Sequence, residues 1–575
     1  MTTVAETIVT ALGDLGVRTV WGVVGDALNP VTEAIRKDDR LRWIGTRHEE
    51  AAAFAASAQA QLTGTLGVCM GTVGPGSIHL LNGLYDASKS HAPVLAICGQ
   101  VPLAEMGGDY FQEVDNDLLF ADVAAFRHTI TSPTQLPRIL QQAVNAAYAR
   151  PGVAVLTLPG DVGSMALPKE TPAPRFVTSR PILSPDPASI AAAAQRIDDA
   201  TKVTLLVGIG ARQARDQVLA LAAHLQAPMV LTLKAKEGLE RENPYQIGQS
   251  GLIGNPASKQ AFDDADLLLM LGTDFPYPDW LPVGTTTIQV DTEPAHIGRR
   301  LPVDVGVVSD VGAAVTALRG LIKPKTDDAH VRSARSAYQS WHDKQQSLAE
   351  PAFDSTLVGR ARSALDNRHH LIRPEAVAAT LDRLAADDAI FTTDTGMATV
   401  WLSRFVELRG TRRLLGSYNL GSMANAMPHA LGAADLDRGR QVVAFCGDGG
   451  LTMLLGDLLT AVAYRLPVKL VVFNNGRLGM VKLEQEQGGL PEFGTELANP
   501  DLAVVATAMG LTGIRVEDPH QLEDAVRTGL ATDGPVLLDI VTNPDEIALP
   551  PKATVDQAWG FAIAKLKEGL RSSGT

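Results

Sequence analysis

Cysteine is scarce in this 575-residue sequence, which has three. Cys69, Cys98 and Cys446 each sit in a short apolar run and share no metal-ligand spacing, which argues against a disulfide framework or a thiolate metal site. They read as buried thiols in a reducing compartment. No run of eighteen apolar residues occurs, so no segment reads as a membrane-spanning helix. The opening "MTTVAETIVTALGDLG" lacks the basic start and long apolar stretch of a secretory signal, and a cytoplasmic protein is expected. There is no basic block either. Asp and Glu number 64 against 50 Lys and Arg, for a net charge of −14, which disfavours a nucleic-acid partner. Short-period repeats and low-complexity tracts are also missing.

What is present is a long chain, 45% hydrophobic and 20% charged, too long for one ordinary core. Two Pro-rich stretches, "LPKETPAPRFVTSRPILSPDPAS" from position 167 and "HHLIRPEAV" from 369, punctuate it. Before the first, strand-like runs such as "LRWIGT", "LGVCMGT" and "VLAICG" alternate with helix-period segments, including one from Glu49 closed by Gly64. The middle repeats this grammar with "VTLLVGIGAR", "PMVLTL", "DLLLMLGTDF" and "TTIQVD". Such alternation predicts an α/β protein whose domains are each a mostly parallel sheet flanked by helices. The expected units are 1–166, 185–345 and 370–550, followed by a tail, 551–575.

The stretch "QVVAFCGDGGLTMLLGDLLTAVAYRLPVKLVVFNN" carries the most chemistry. An apolar run ends at "GDGG". Leu451, Leu454, Leu455, Leu458, Leu459 and Val462 then recur with one helical face, and "VKLVVF" reads as a second buried strand. A strand–helix–strand crossover makes the two strands parallel, so Asp448 and Asn475 reach the same sheet edge, where open α/β sheets bind ligands. Gly449 and Gly450 offer backbone N–H groups at a helix start, which suits a phosphate. A carboxylate and an amide oxygen suit Mg2+, which shares its shell with phosphates. A tight turn and an Asn-Gly turn are the plainer account of the same letters.

With those motifs in view, "GDGG…NN" resembles the thiamine diphosphate signature of the superfamily that includes pyruvate oxidases and acetolactate synthases. The resemblance implies the thiamine-enzyme fold, with Mg2+ held by Asp448, Asn475 and the main-chain carbonyl of Arg477. It also implies that Gly476, Leu478, Gly479 and Met480 continue the coenzyme-binding loop. "TRHEEAAAFAA" is similar to the segment that carries the activating carboxylate in this family, making Glu49 the group that drives proton removal from the coenzyme. Read without the family, an acid in a helix's first turn needs no further explanation. "GSMANAMPHALGA" resembles the segment that bends the coenzyme. Met423 would be the apolar wedge, Gly421 the backbone acceptor and Ser422 their neighbour, although a core methionine is the ordinary reading. Gly396 and Met397 of "TDTGMAT" sit where a further diphosphate contact is expected. In such families the carboxylate and the metal site of one coenzyme come from different subunits, so a homo-oligomer, dimer or tetramer, is implied.

In the middle segment, Gly208 and Gly210 of "LLVGIGAR" form only part of a dinucleotide fingerprint, and a structural turn accounts for them equally. "GQSGLIG", "GTDFPYPDW" and "IQVDTEPAHIGRR" resemble, in order and spacing, the flavin segments of thiamine- and FAD-dependent pyruvate:quinone oxidoreductases. Ser250, Gly251, Leu252, Ile253, Thr273, Asp274, Phe275, Pro276 and Tyr277 would line FAD, with Asp291 on a ribose hydroxyl. The implied reaction is decarboxylation of pyruvate or a related 2-oxo acid through a thiamine enamine, two-electron reduction of FAD, release of acetate and reoxidation by a quinone. Phe111 and Gln112 of "YFQE" would form the substrate wall. Two local departures stand out: Val114-Asp115-Asn116 follows "YFQE" in the manner of acetolactate synthases, and Leu420 replaces a family histidine. A carboligase with structural FAD, or an O2-dependent oxidase making acetyl phosphate and peroxide, are the alternatives. In the tail, Val555, Trp559, Ile563, Leu566 and Leu570 form a stripe that suits either a membrane surface or packing on its own protein.

Overall fold

In the computed structural model, which describes residues 2–545 apart from 274, 351–352 and 368, the strands fall into three six-stranded sheets. The first contains β1 (Thr19–Gly22), β2 (Arg42–Gly45), β3 (Gly67–Gly71), β4 (Val94–Gln100), β5 (Ala124–Thr129) and β6 (Val153–Pro159), in the order β2-β1-β3-β4-β6-β5. The second contains β7 (Val203–Val207), β8 (Met229–Leu231), β9 (Gln246–Gln249), β10 (Leu267–Leu271), β11 (Thr286–Asp291) and β12 (Val305–Val308), ordered β12-β11-β10-β7-β8-β9. The third contains β13 (Ile390–Thr393), β14 (Arg413–Gly416), β15 (Val442–Gly447), β16 (Val468–Asn474), β17 (Thr512–Val516) and β18 (Val536–Val541), ordered β14-β13-β15-β16-β18-β17.

Every pairing between these strands is parallel, as the strand–helix alternation predicts. Their central members are mostly apolar because helices cover both faces: β4, β6, β10 and β16 are buried along their whole length. The first and third sheets share one strand order. The second has the doubly wound order of dinucleotide-binding folds, reversing between β7 and β10.

The helix Glu49–Thr63 begins at His48, whose Nδ1 accepts the Glu50 N–H, and ends at Gly64 in the left-handed region (φ 72°). Its alanine face packs on the helix Ala426–Leu436 of the third domain, in one continuous apolar cluster. A Cβ at Gly432 would overlap the Ala55 carbonyl, so the two backbones approach as closely as glycine and alanine allow. This packing fixes the first domain against the third.

The periodic stretch after "GDGG" is not one helix. It divides into Asp448–Met453, a 3-10 turn Leu455–Asp457 and Leu458–Ala463. The break turns Asp457 inward, where its Oδ1 accepts the Arg47 N–H at 2.7 Å and the Thr460 hydroxyl at 2.8 Å, joining the third domain to the first. Among the described residues no helix is long and apolar enough to cross a membrane. The tail 551–575 with its apolar stripe lies outside the described residues.

Candidate active site

The carboxyl ends of β13 and β15 flank the point where the third sheet reverses its order, and a pocket of about 260 Å3 opens there. Its lining runs from Pro374 to Pro544 and unites Gly396, Met397, Gly421, Met423, Asp448, Gly449, Gly450, Asn475, Arg477, Leu478, Gly479 and Met480. Gly396 (φ 135°) and Gly421 (φ 78°) hold backbone conformations closed to most side chains, and a Cβ on either would point into open space. Gly447, also in the lining, is open in the same way. Gly449 faces Leu478 and the Met423 Sδ-methyl, so Met423 sits directly over the "GDGG" turn. Ala424 beside it has φ 64°, a strained value for alanine that fixes the direction of the Met423 segment.

Asp448 is 2% exposed. Its Oδ1 accepts the Gly449 N–H at 2.9 Å, and its Oδ2 accepts the Gly476 N–H and the Asn499 amide, each at 2.8 Å. Burial raises its pKa to about 6, and these donors oppose the rise. Asn475 Oδ1 accepts the Arg477 N–H at 3.0 Å, and the Arg477 guanidinium turns away to Glu492 and Glu496. The turn is braced from outside: Leu478 N–H bonds Thr495 O and Leu497 N–H bonds Gly476 O, both at 2.8 Å. A carboxylate after β15 and, after β16, an amide oxygen and a main-chain carbonyl give one pocket a hard, oxygen-only donor set.

Asp394, at the end of β13, is a pocket residue that the motif reading missed, although "TDTG" holds it. Its Oδ1 accepts the Ala426 N–H at 2.9 Å and its Oδ2 the Gly447 N–H at 3.2 Å, tying the Met423 segment to the "GDGG" turn. Complete burial pushes its pKa up to about 7. A Cβ on Gly450 would overlap this carboxylate.

Glu49, Phe111 and Gln112 belong to the first domain and are absent from this lining. Glu49 is 7% exposed, and its Oε2 meets His79 Nδ1 at 2.9 Å. His48 stacks on His79 at 4.5 Å. The sequence signal for His79 was its place three residues beyond the "GPG" turn. Glu50 accepts from Asn82 at 2.7 Å, and Asn82 also donates to Ser422 of the third domain at 2.9 Å. Phe111 is 79% exposed, and Gln112 has φ 66°. The "VDN" departure is architectural: Asp115 caps a short helix through the Leu118 N–H, and Asn116 donates to Gly99 O. Leu420 is half-buried.

In the central domain, the turn Ser250–Ile253 meets the loop after β10. Gly251 (φ 90°) abuts Phe275 and Tyr277, whose rings contact edge-on at 5.7 Å, with Pro276 between them. Thr273 Oγ1 accepts the Phe275 N–H, and Ser250 Oγ lies 3.5 Å from Trp280 O. Leu252 is 36% exposed, whereas Ile253 packs into the third domain's core together with Met397 and Met480. Asp274 lies outside the described residues. Asp291, at the end of β11, accepts the Glu293 N–H at 3.0 Å and lies 3.6 Å from His296. Burial, and then the Glu484 carboxylate, raise the Tyr277 pKa.

Comparison with known proteins agrees with this geometry. Residues 2–119 match the thiamine pyrophosphate enzyme N-terminal TPP binding domain, 190–318 the central domain and 394–540 the C-terminal TPP binding domain. The "Putative thiamine pyrophosphate-containing protein YdaP" of Bacillus subtilis (strain 168) is 38% identical over 98% of this chain and 96% of its own. The chain belongs to the thiamine pyrophosphate enzymes. Within that family it is similar to pyruvate oxidase of Lactiplantibacillus plantarum, 30% identical over 96% of this chain and 91% of that protein. It is equally similar to acetolactate synthase of Mycobacterium bovis, 31% identical over 95% and 89%. This thiamine pyrophosphate enzyme is thus about as similar in sequence to a pyruvate oxidase as to an acetolactate synthase.

Proposed function

We propose that this protein is a homo-oligomeric enzyme, dependent on thiamine diphosphate, Mg2+ and FAD, that oxidises pyruvate or a close 2-oxo acid and passes the electrons to a quinone. Pyruvate and water would give acetate and CO2, with two electrons and two protons leaving to the acceptor. The observation that carries this reading is the junction of the flavin-candidate turn with the pocket wall. Ile253 packs against the same apolar core as Met397 and Met480. Electrons generated in the pocket would have a short way to a flavin held at the β7–β10 crevice.

Thiamine diphosphate, when bound, supplies the electron sink for loss of CO2. Asp448, Asn475 and the Arg477 carbonyl would hold Mg2+, and the open glycines 396, 421 and 447 leave room for the diphosphate and ring beside Met423. Glu49 would carry the proton at its carboxylate and His79 would orient it. Since the pocket's lining comes from one domain, Glu49 would be delivered by a second copy of the chain. Exposed Ile78, Phe111 and Leu118 on the first domain and Met453, Leu490 and Phe493 on the third support such an interface. The residues that would hold FAD are Ser250 to Ile253, Thr273 to Tyr277 and Asp291, at the switch point of a doubly wound sheet.

The decisive experiment mixes the purified holoenzyme with pyruvate under anaerobic conditions. Bleaching of the flavin band and formation of acetate are expected, and added quinone should restore the colour. Acetolactate without bleaching would establish the ligase reading, which the 31% identity to an acetolactate synthase favours. Peroxide formed in air in place of quinone reduction would move the acceptor to O2.

A further inference from the structure

We propose that Asn499 is the positioning residue that presents the Asp448 carboxylate to the divalent cation, anchored through Asn474, Asp539 and Arg515. The proposal rests on the Mg2+–coenzyme reading of the pocket. Asn499 Nδ2 donates to Asp448 Oδ2 at 2.8 Å and reaches Asn474 Oδ1 at 3.2 Å. Asn474 Nδ2 in turn donates to Asp539 Oδ1 at 2.7 Å. Asp539 Oδ2 accepts from Arg515 at 2.6 Å and from the Leu502 N–H at 3.0 Å. Asp448 is 2% exposed, Asn474 7% and Asp539 0%, so water does not compete for these bonds along most of the chain. The links come from the ends of β15 and β16, from β18 and β17, and from the segment that braces the Gly476–Leu478 turn.

The arrangement divides the labour of the carboxylate. Oδ2 accepts from Gly476 and Asn499, whereas Oδ1 accepts the Gly449 N–H. Oδ1 thus keeps the larger free acceptor capacity. A neutral amide is the donor type that orients a carboxylate without cancelling its charge. A lysine there would compete with the cation, and an acid would repel Asp448. The paired asparagines acquire separate jobs by strand alternation, which sends successive side chains to opposite faces. Asn474 points back to Asp539, while Asn475 lines the pocket.

The test titrates Mg2+ into apoprotein at fixed thiamine diphosphate, following intrinsic fluorescence (Trp401 lines the pocket) and thermal melting. Asn499→Leu should raise half-saturating Mg2+ about 10–100-fold, the usual cost of losing a partner behind a metal ligand. Turnover should be regained as Mg2+ is raised, and the ligand-free melting temperature should move by only a few degrees. Asn499→His, which keeps an N–H donor, should recover most of the affinity. Equal Mg2+ dependence in Asn499→Leu and the unaltered protein would overturn the proposal alone. So would equal losses in both variants with no recovery at high Mg2+, which is the mark of a purely structural residue. If the unaltered protein bound no coenzyme with Mg2+, the functional reading would fall as well.

Discussion

Asp394 shows how single residues shape this pocket. Its carboxylate lies fully buried between two backbone N–H groups, with a pKa near 7 in the folded chain against about 3.9 in the unfolded one. Below the lower value both states are protonated. As pH rises, the unfolded chain ionises first, so stability is progressively lost and the full cost is present above about pH 7. Melting curves of apoprotein between about pH 5 and 8 should therefore show D394N gaining on the unaltered protein as pH rises. A flat difference would mean that Asp394 does not titrate there. Glu49 calls for a different test, because its proposed task is proton transfer. Glu49→Gln keeps an oxygen for His79 and should retain coenzyme, Mg2+ and flavin while turnover drops roughly 10^2–10^4-fold. Full activity would refute the assignment. Asp448→Ala should instead fail at the binding step, seen as a raised Mg2+ requirement. Asp448 and Asn475 were legible in the sequence because motif and spacing announce them. Asp394, His79 and Asn499 were not, because their importance lies in hydrogen bonds between segments distant along the chain.

Elements were legible in proportion to their burial. Central strands are dominated by apolar residues, uninterrupted in β10 and broken in β16 only by Lys469 before its terminal Asn474, and the alternation with helices correctly made the sheets parallel. Edge strands β5 and β17, with mixed or exposed side chains, carry no such signal. The helix after "GDGG" looked continuous because its apolar face does persist through Leu451, Leu454 and Leu458; the inward bonds of Asp457 break it. The two glycines after β7 were ambiguous on the page, and packing explains them. A Cβ on Gly208 would overlap the Gly272 carbonyl and the Thr273 backbone, so glycine lets β7 and β10 exit side by side at the sheet's reversal. Gly208→Ala should push these loops apart, at a cost of about 1–3 kcal/mol for overpacking, and lower the flavin-to-protein ratio of the purified enzyme. Coenzyme and Mg2+ binding should survive, since the third sheet is untouched. A variant with unchanged flavin content and melting temperature would remove the β7–β10 crevice as the flavin site.

At the scale of the whole molecule, the first and third domains share one strand order and pack helix to helix, yet each carries only half of the proposed catalytic set. The metal turn and Met423 lie in one, and Glu49 lies in the other. This duplication could not be read from the letters, since sheet order is set by which strands pair and not by any repeated motif. If the halves meet across two chains, two inactive variants should rescue each other. In a hybrid dimer of Glu49→Gln and Asp448→Ala chains, one site joins both lesions and the other joins the intact Glu49 of one chain to the intact Asp448 of its partner. Random reassociation makes half the dimers hybrid, each with one good site of two, so about a quarter of normal turnover should return. The mixture must first be dissociated and refolded together, with each variant treated alone as the control. Were every site built within a single chain, no mixture would exceed the activity of its components, and the arrangement across subunits would have to be abandoned.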